Sequence, residues 1–188
     1  PLGSAGALKK IQDHSGFFDE TFAVLCGDAL IDLDLTALLA FHRQKKAKVT
    51  IALAEVPREQ VSSYGVVVTD GDGQIIEFQE KPAVEDARST TVNTGIYIFE
   101  PGVLDLIPAG APYDIGGELF PKLAGEIGGL YGTALPFQWL DIGQVTDYHR
   151  VIQMAINNQV HGLQLPGTEV APGIRFGLNV RANLEECN

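Results

Sequence analysis

The sequence predicts an α/β fold in which helices cover a layered sheet that also contains antiparallel insertions. Segments with the composition of strands alternate with segments of helical periodicity along most of the chain. Residues 48–56, KVTIALAEV, are almost continuously apolar, as in strands that are covered on both faces of a parallel sheet. The Asp-Gly-Asp-Gly run at 70–73 separates two further apolar segments and predicts a hairpin, which adds antiparallel pairing.

The helices are predicted from apolar residues that recur every three or four positions. Residues 5–13 place Leu8 and Ile11 on one face, and Thr36 occupies the position of a cap before a helix that runs to about Lys46. Asp32 and Asp34 are predicted to be turn and cap residues ahead of the same helix. Further helices are predicted at 102–106, at 117–127 and, long and amphipathic, at 144–157.

The strands are predicted from short apolar or alternating runs that end at glycine, proline or aspartate. They occupy 22–27, 48–56, two segments within 64–82, 91–101 and 128–136. Together with the helices, these strands form a predicted first domain at 1–161.

After residue 158 the pattern changes. Residues 163–187 take short apolar steps between prolines and glycines, with roughly one turn in six residues, as in hexapeptide β-helices. A boundary near Gly162 therefore predicts a second segment at 162–188 that begins a β-helix. About one and a half turns are too few to stand alone, because such coils need roughly three repeats to bury a core.

The composition limits the classes of partner. Hydrophobic residues make up 45% of the chain and charged residues 20%, which is the balance of an ordinary globular domain. The formal net charge of -11 argues against a surface that coats nucleic acid, but it leaves room for a bound nucleotide. No apolar run reaches the ~18 residues of a membrane span, and no signal peptide begins the chain. We therefore expect neither a nucleic-acid nor a membrane partner.

The number and spacing of the cysteines and histidines do not predict a disulfide framework, a metal site or a nucleophilic catalytic site. Two cysteines, Cys26 and Cys187, are too few for a disulfide framework and predict a reducing, cytoplasmic location. No Gly-x-Ser-x-Gly motif or Cys/His pair indicates nucleophilic catalysis. The four histidines show no metal-ligand spacing and are predicted to lie at the surface: His14, His42, His149 and His161.

Two polar pairs follow predicted strands. Gly27-Asp28 ends the strand at 22–27, where a carboxylate can bind a hard cation and the glycine admits a phosphate. For this pair taken alone, an Asx turn or a helix cap is the favoured interpretation. Glu80-Lys81 ends the hairpin, where the lysine can neutralise a phosphate and the glutamate can accept hydrogen bonds from hydroxyls. The alternative is an exposed ion pair without a function.

Two further polar positions have the same ambiguity. Asn93 offers both a donor and an acceptor, and Gly95 allows close backbone approach, although a turn before an edge strand is the alternative. Trp139 and Asp141 share one side of an extended segment, which suits a sugar or a metal-phosphate site. A core tryptophan beside a helix-capping aspartate explains them nearly as well.

In their order along the chain, these motifs resemble those of the sugar-1-phosphate nucleotidylyltransferases. The matching stretches are LGSAG, LCGD, SYGVVV, FQEKP, VNTGIYIF, DIGGELFPKL and WLDIG. They are most similar to the mannose-1-phosphate guanylyltransferase branch, and the resemblance covers residues 2 to about 183. It implies a Rossmann-like, glycosyltransferase-A-like mixed sheet that lacks its first β-α unit and is followed by the start of a left-handed β-helix.

The resemblance also implies the site residues. The nucleotide would be bound by Leu2, Gly3, Ser4, Ala5, Gly6, Gly27 and Asp28. The sugar would be bound by Tyr64, Gly65, Glu80, Lys81, Val92, Asn93 and Trp139, with Lys81 on its phosphate. Mg²⁺ would be held by Asp28 and Asp141, which with Lys81 form the implied catalytic set. Gln144 departs from the family's Asp-Ile-Gly-Thr pattern, which has threonine there.

The implied reaction joins a nucleoside triphosphate to a sugar-1-phosphate and releases pyrophosphate, with GTP and mannose-1-phosphate as the expected pair. The residues that line the base do not by themselves separate guanine from thymine or uridine. A homo-oligomer through the β-helix region is also expected.

The family's glycine-rich loop, Gly-x-Gly-Thr-Arg…Pro-Lys, has no match in this chain. The chain alone is therefore expected to be inactive, because each lost donor to the α-phosphate costs about 2.7–4 kcal/mol. The match of LGSAG favours a native origin for residues 1–4, although a tag remnant would have the same letters. The alternative function is a non-catalytic, sugar-nucleotide-binding regulatory subunit.

Overall fold

The computed structural model of the protein describes residues 1–171 and 174–177, and it divides the chain into two units. The sheet unit comprises Pro1–Cys26 and Asp34–Pro136. The second unit comprises Gly27–Leu33 and the chain from Phe137 onward. This grouping follows contacts rather than sequence order, and the boundary predicted near Gly162 stays a prediction.

A six-stranded mixed sheet organises the sheet unit. Its strands are β1 (Phe22–Leu25), β3 (Val49–Glu55), β4 (Gly65–Thr69), β5 (Ile75–Glu80), β6 (Thr91–Phe99) and β7 (Leu130–Thr133). The order is β5-β4-β6-β3-β7, and β1 also pairs with β6. Only β3 and β7 run parallel to each other, so the predicted α/β class with a mixed sheet is confirmed.

Two longer helices of the sheet unit end at left-handed residues. Helix α1, Gly3–Ser15, extends two residues beyond the prediction at each end and stops at Gly16, with a φ of 62°. Helix α2, Leu35–Lys45, stops at Lys46 with a φ of 51°. Of the residues predicted to cap α2, Asp34 is confirmed and Thr36 is wrong.

Asp34 is the residue that caps α2. Its Oδ1 accepts hydrogen bonds from the N–H groups of Thr36 at 2.8 Å and Ala37 at 3.2 Å. These are the first-turn donors that have no partner inside the helix, and a carboxylate there also opposes the helix dipole. Thr36 is therefore inside the first turn rather than before it.

The helix predicted at 117–127 is divided. A π-turn, Ile115–Leu119, leads into the short helix α3, Phe120–Leu123. Pro121 fits the start of α3 because it needs no donor there, and the chain leaves the helix at Ala124. A 3₁₀ turn, Pro101–Leu106, matches the short helix predicted there.

Aromatic rings fill the centre of the core. The Phe120 ring lies 5.3 Å from the Phe78 ring and 5.2 Å from the Tyr97 ring, both edge-on. Tyr97 also contacts Phe99, with ring centroids 5.9 Å apart. Edge-to-face pairs of this kind add to the free energy gained by burial.

His42 corrects the prediction of four surface histidines. Its exposed fraction is only 1%, because α2 turns it toward β3. The ring places Nδ1 at 2.8 Å from Thr50 Oγ1 and Nε2 at 3.0 Å from Glu100 Oε1. Thr21 Oγ1 donates to the same Glu100 oxygen at 2.7 Å. The helical periodicity of α2 directs residue 42 toward the core. A buried polar side chain is tolerated there because both nitrogens of the His42 ring have hydrogen-bond partners.

We expect Glu100 to make stability sensitive to acid. Burial alone would raise the pKa of Glu100, but hydrogen bonds from Thr21 and His42 and neighbouring positive charge lower it below its ordinary value. A lowered pKa stabilises the fold above the ordinary glutamate pKa, and this is lost as the pH falls through the folded value. Urea unfolding between pH 3 and 7 should therefore show a shallower acid limb for Glu100→Gln than for wild type. If the unfolding free energy of Glu100→Gln fell with acid as steeply as that of the wild type, this would contradict the prediction. Glu85→Gln, on the exposed loop after β5, is the control.

Tyr113 has a buried hydroxyl group that no atom of the described residues hydrogen-bonds. An unpaired buried hydroxyl costs about 1–3 kcal/mol, so Tyr113→Phe should leave the free energy of unfolding unchanged or raise it. Tyr97→Phe is the matched control, because Asn93 Nδ2 donates to the Tyr97 oxygen at 3.0 Å. Chemical denaturation should show that Tyr97→Phe, but not Tyr113→Phe, lowers the free energy of unfolding by about 0.5–1.5 kcal/mol. Equal losses in both variants would contradict the assignment.

The second unit contains two small antiparallel pairs and a helix. Strand β2, Ala29–Ile31, pairs with β8, Trp139–Asp141, and β9, Thr168–Ala171, pairs with β10, Ile174–Phe176. Helix α4, Val145–Ile156, confirms the helix predicted at 144–157. None of the helices in the described part of the chain has the length and apolar character to cross a membrane.

The predicted start of a left-handed β-helix is not confirmed. The β9–β10 pair is an antiparallel ribbon, whereas successive strands of such a coil run parallel from turn to turn. Residues 172–173 and 178–188, where the prediction would continue, lie outside the described residues.

Candidate functional site

The structure brings the predicted site residues together in two groups, one in each unit. The first group comes from the start of α1, the β4–β5 hairpin and β6: Leu2, Gly3, Ser4, Ala5, Gly6, Tyr64, Gly65, Glu80, Lys81, Val92 and Asn93. The second group comes from β2, β8 and the residues just before β2: Gly27, Asp28, Trp139 and Asp141.

The β4–β5 hairpin holds four of these residues at its open end. The strand register pairs Gly65 with Glu80, and the Lys81 N–H donates to the Tyr64 carbonyl oxygen at 3.2 Å. Lys81 has a φ of 45°, in the left-handed region that costs a residue other than glycine about 1–3 kcal/mol. Backbone strain of this kind is concentrated at functional sites, which supports a role for Lys81.

Two glycines lie against the Glu80 carboxyl group. A β-carbon on Gly116 would lie 2.5 Å from Glu80 Oε2, and one on Gly65 would lie 3.2 Å from the same atom. Burial of the carboxyl group raises the pKa of Glu80, the charge of Lys81 opposes this shift and the charge of Asp114 adds to it. The net pKa lies above its ordinary value, so Glu80 takes up a proton more readily than an exposed glutamate.

Asn93 is held on β6 by two hydrogen bonds. Its Nδ2 donates to Tyr97 Oη at 3.0 Å, and its Oδ1 accepts from the Gly95 N–H at 2.9 Å. Burial raises the pKa of Tyr97, which keeps the phenol protonated. Its neighbour Val92 is fully buried and paired with Val66 of β4. Tyr97 lies within the matching stretch VNTGIYIF, but sequence reasoning assigned it no role.

Residues 2–6 form the first turn of α1 and lie against the chain at Tyr113. The N–H groups of Ala5 and Gly6 donate to the Tyr113 carbonyl oxygen, both at 3.0 Å, and the Tyr113 N–H donates to the Leu2 carbonyl oxygen at 2.9 Å. A β-carbon on Gly6 would approach a backbone carbonyl oxygen to 2.8 Å. The glycine is therefore needed for this close packing.

Asp114 is a further site residue that sequence reasoning missed. Its Oδ2 accepts from Ser4 Oγ at 2.7 Å, and its Oδ1 accepts from the N–H groups of Gly116 at 2.9 Å and Gly117 at 2.8 Å. Burial alone would raise the pKa of Asp114, but these hydrogen bonds and the charge of Lys81 lower it below its ordinary value. Asp114 is therefore held as a carboxylate.

The sequence around Asp114 is explained by a structural role, a helix cap, and therefore gives no sign that the residue also lies in the site. Glu118 follows four residues later, and its Oε2 accepts from the Asp114 N–H at 2.7 Å. Aspartate is one of the favoured residues at a helix start, where its side chain accepts from the amides of the first turn, as Asp114 does. Only the fold reveals that this cap also accepts from Ser4 and that the charge of Lys81 lowers its pKa.

The second unit brings Asp28 and Asp141 to the same end of the β2–β8 pair. The Ile142 N–H donates to the Asp28 carbonyl oxygen at 2.9 Å, and Ala29 lies opposite Asp141. Asp141 Oδ1 accepts from the Gly143 N–H at 3.1 Å, which leaves its second oxygen for a ligand.

The donor set of this pair fits Mg²⁺, which binds one or two carboxylates and completes its shell with phosphate and water. Asp28 is exposed and Asp141 half-buried. Among the described residues, no three histidine, cysteine, aspartate or glutamate side chains gather as a metal cluster. Trp139 lies two residues before Asp141 and opposite Ile31, on the same strand face as Asp141.

The chain is similar to nucleotidyltransferases along most of its length. Residues 1–158 match the family model described as nucleotidyl transferase. The chain is 58% identical over 182 residues to a UTP–glucose-1-phosphate uridylyltransferase of Synechocystis sp., covering 97% of this chain and 47% of that protein. It is 41% identical over 149 residues to the mannose-1-phosphate guanylyltransferase catalytic subunit beta of Danio rerio, covering 79% and 40%.

The fold is similar to that of a crystal structure of UDP-glucose pyrophosphorylase complexed with UDP-glucose. The TM-score is 0.66 at 24% identity, covering 79% of this chain and 60% of that chain. The chain spans about half the length of the curated relatives it matches or less. The narrower resemblance to the mannose-1-phosphate guanylyltransferase branch is not confirmed, because a uridylyltransferase matches at higher identity. The match over residues 1–158 and the 58% identity show that the chain belongs to the nucleotidyl transferase family of enzymes.

Proposed function

We propose that the protein is a sugar-1-phosphate nucleotidylyltransferase that uses UTP and glucose-1-phosphate. The observation that carries this proposal is the grouping of Glu80, Lys81 and Asp114 in a chain 58% identical to a UTP–glucose-1-phosphate uridylyltransferase. GTP with mannose-1-phosphate is the second candidate, supported by relatives at 41% identity and below.

In the proposed reaction, a phosphate oxygen of the sugar-1-phosphate attacks the α-phosphorus of the triphosphate in line. The bond from the α-phosphorus to the bridging oxygen breaks, and pyrophosphate leaves with the electron pair. Lys81 would hold the attacking phosphate and Glu80 would accept hydrogen bonds from sugar hydroxyls. Mg²⁺ bound by Asp28 and Asp141 would neutralise triphosphate charge.

The test is a pyrophosphate-release assay on the full-length gene product with each pairing of UTP or GTP with glucose-1-phosphate or mannose-1-phosphate. We expect UTP with glucose-1-phosphate to have the highest kcat/KM. A preference for GTP with mannose-1-phosphate would replace the leading candidate with the second. Tight binding of a sugar nucleotide without turnover of any pair would favour a regulatory subunit, and neither binding nor turnover would overturn both.

The sugar half of the site can be tested through Gly116. Gly116→Ala places a β-carbon 2.5 Å from Glu80 Oε2, the mobile end of a side chain, so Glu80 must move while the backbone stays. We expect the KM for the sugar phosphate to rise about tenfold or more, since a hydrogen bond to a charged group is worth about 1.5–3 kcal/mol. Steady-state kinetics on the full-length gene product measures this.

Gly117→Ala is the matched control for this prediction. Its added β-carbon would lie 3.6 Å from Asp114 Oδ1, an ordinary contact, and both glycines donate to the same aspartate. Equal kinetics in the two variants would contradict the placement of Glu80 against the sugar.

A further inference from the structure

Two segments that would contact different substrates are joined by hydrogen bonds within the sheet unit. Under the proposed function, on which this inference rests, residues 2–6 contact the nucleotide, while Glu80 and Lys81 contact the sugar phosphate. The turn that begins at Asp114 contacts both groups. The turn lies within the matching stretch DIGGELFPKL, to whose residues the resemblance assigns no role.

On the nucleotide side, the link is the hydroxyl group of Ser4. It donates its only proton to Asp114 Oδ2 at 2.7 Å and accepts the Ile115 N–H at 2.8 Å. Because that proton is used inside the protein, Ser4 has none to donate to a nucleotide in this arrangement. Its hydroxyl therefore fastens the start of α1 to the turn.

On the sugar side, the link is the Asp114 carboxylate and the turn it organises. Oδ1 accepts from the N–H groups of Gly116 and Gly117, so a shift of Asp114 moves both backbone units. Gly116 lies against the Glu80 carboxyl group, too close for an added β-carbon. The charge of Lys81 also lowers the pKa of Asp114, so the carboxylate is within electrostatic reach of the proposed phosphate-binding group.

We propose that Asp114 is a positioning residue that couples the nucleotide half of the site to the sugar-phosphate half through Ser4. A ligand on either half orders the shared turn, so the second ligand no longer bears the cost of ordering it. Each substrate should then tighten the binding of the other by the same factor, because coupling between two sites is reciprocal.

The test measures this factor by calorimetry on the full-length gene product with Mg²⁺, glucose-1-phosphate and α,β-methylene-UTP, whose P–C bond prevents turnover. In the wild type, saturating glucose-1-phosphate should tighten nucleotide binding about fivefold or more. In Ser4→Ala the factor should fall to about one, because the hydroxyl that joins the two halves is gone. Ser4→Thr keeps the hydroxyl group and should keep the factor.

Two variants separate coupling from a general loss of structure. Ser15→Ala removes the other serine hydroxyl of α1, which donates to the Ile11 carbonyl oxygen at 2.8 Å, and it should leave the factor unchanged. Asp114→Asn keeps an acceptor for the glycine amides but replaces the charged acceptor of the Ser4 proton with an amide that can only donate to Ser4, so it weakens the link and should lower the factor less than Ser4→Ala does.

The outcomes distinguish this inference from the proposed function. A wild-type factor of one, or a factor that survives both Ser4→Ala and Asp114→Asn, overturns the coupling and leaves the proposed function standing. A wild-type protein that binds neither ligand overturns both.

Discussion

Replacing Lys81 with methionine is expected to lower kcat/KM for the sugar phosphate by about two to three orders of magnitude, the cost of removing one preorganised charged donor. Methionine keeps the length of the side chain but loses the positive charge. The carboxylate of Asp114, whose pKa the charge of Lys81 lowers, would then face the incoming phosphate without compensation. Steady-state kinetics on the full-length gene product is the measurement.

Lys48→Met provides the control for this experiment. Lys48 pairs with Glu126 at 3.0 Å on the surface of the sheet unit, and such a pair contributes about 0–1 kcal/mol. Its kinetics should match the wild type. A fall of less than about tenfold for Lys81→Met, with the fold intact by circular dichroism, would remove Lys81 from the proposed mechanism.

Replacing Phe120 with alanine is expected to cost about 3–5 kcal/mol of the free energy of unfolding, because it removes a buried ring and leaves a cavity. The exposed fraction of Phe120 is 0%, and its ring contacts those of Phe78 and Tyr97. Urea denaturation monitored by far-UV circular dichroism measures the change. A loss of this size approaches the entire stability of many domains.

Phe17→Ala is the matched control for the core prediction. It removes the same side chain from the loop after α1, where the exposed fraction is 71%. The expected change is about 0.5 kcal/mol or less, as for most surface substitutions. Similar losses in the two variants would show that the ring cluster around Phe120 does not carry the core.

The strands and the hairpin were predictable because their signals are local. The apolar run at 48–56 became β3, and the Asp-Gly-Asp-Gly turn joins β4 to β5 as expected. Glycine and aspartate specify such a turn by backbone conformation alone, whatever the rest of the fold does. The boundary residues were less predictable, since Asp34 and Thr36 are both good caps and only the geometry selects Asp34.

The parts that were not predictable depend on distant residues. His42 is buried because Thr50 on β3 and Glu100, 58 residues away, meet both of its nitrogens, and only the fold brings these two partners together around the ring. Asp114 lies in the site because the fold brings it into hydrogen-bond contact with Ser4, which is 110 residues away in sequence. The substrate pair could not be predicted either, because the motifs that the family shares indicate the reaction but do not distinguish the base or the sugar.

Strand β6 has a consequence for how the sheet unit folds. Both β1 and β3 precede β6 in the chain and pair along it, and Phe22 and Val49 both lie opposite Phe99. Neither strand can take its place beside β6 until residues 91–99 have been incorporated. Contacts between residues this far apart in sequence slow folding, because loop-closure entropy is lost before they form. The rate at which this sheet assembles is therefore governed by the arrival of β6, its fifth strand in chain order.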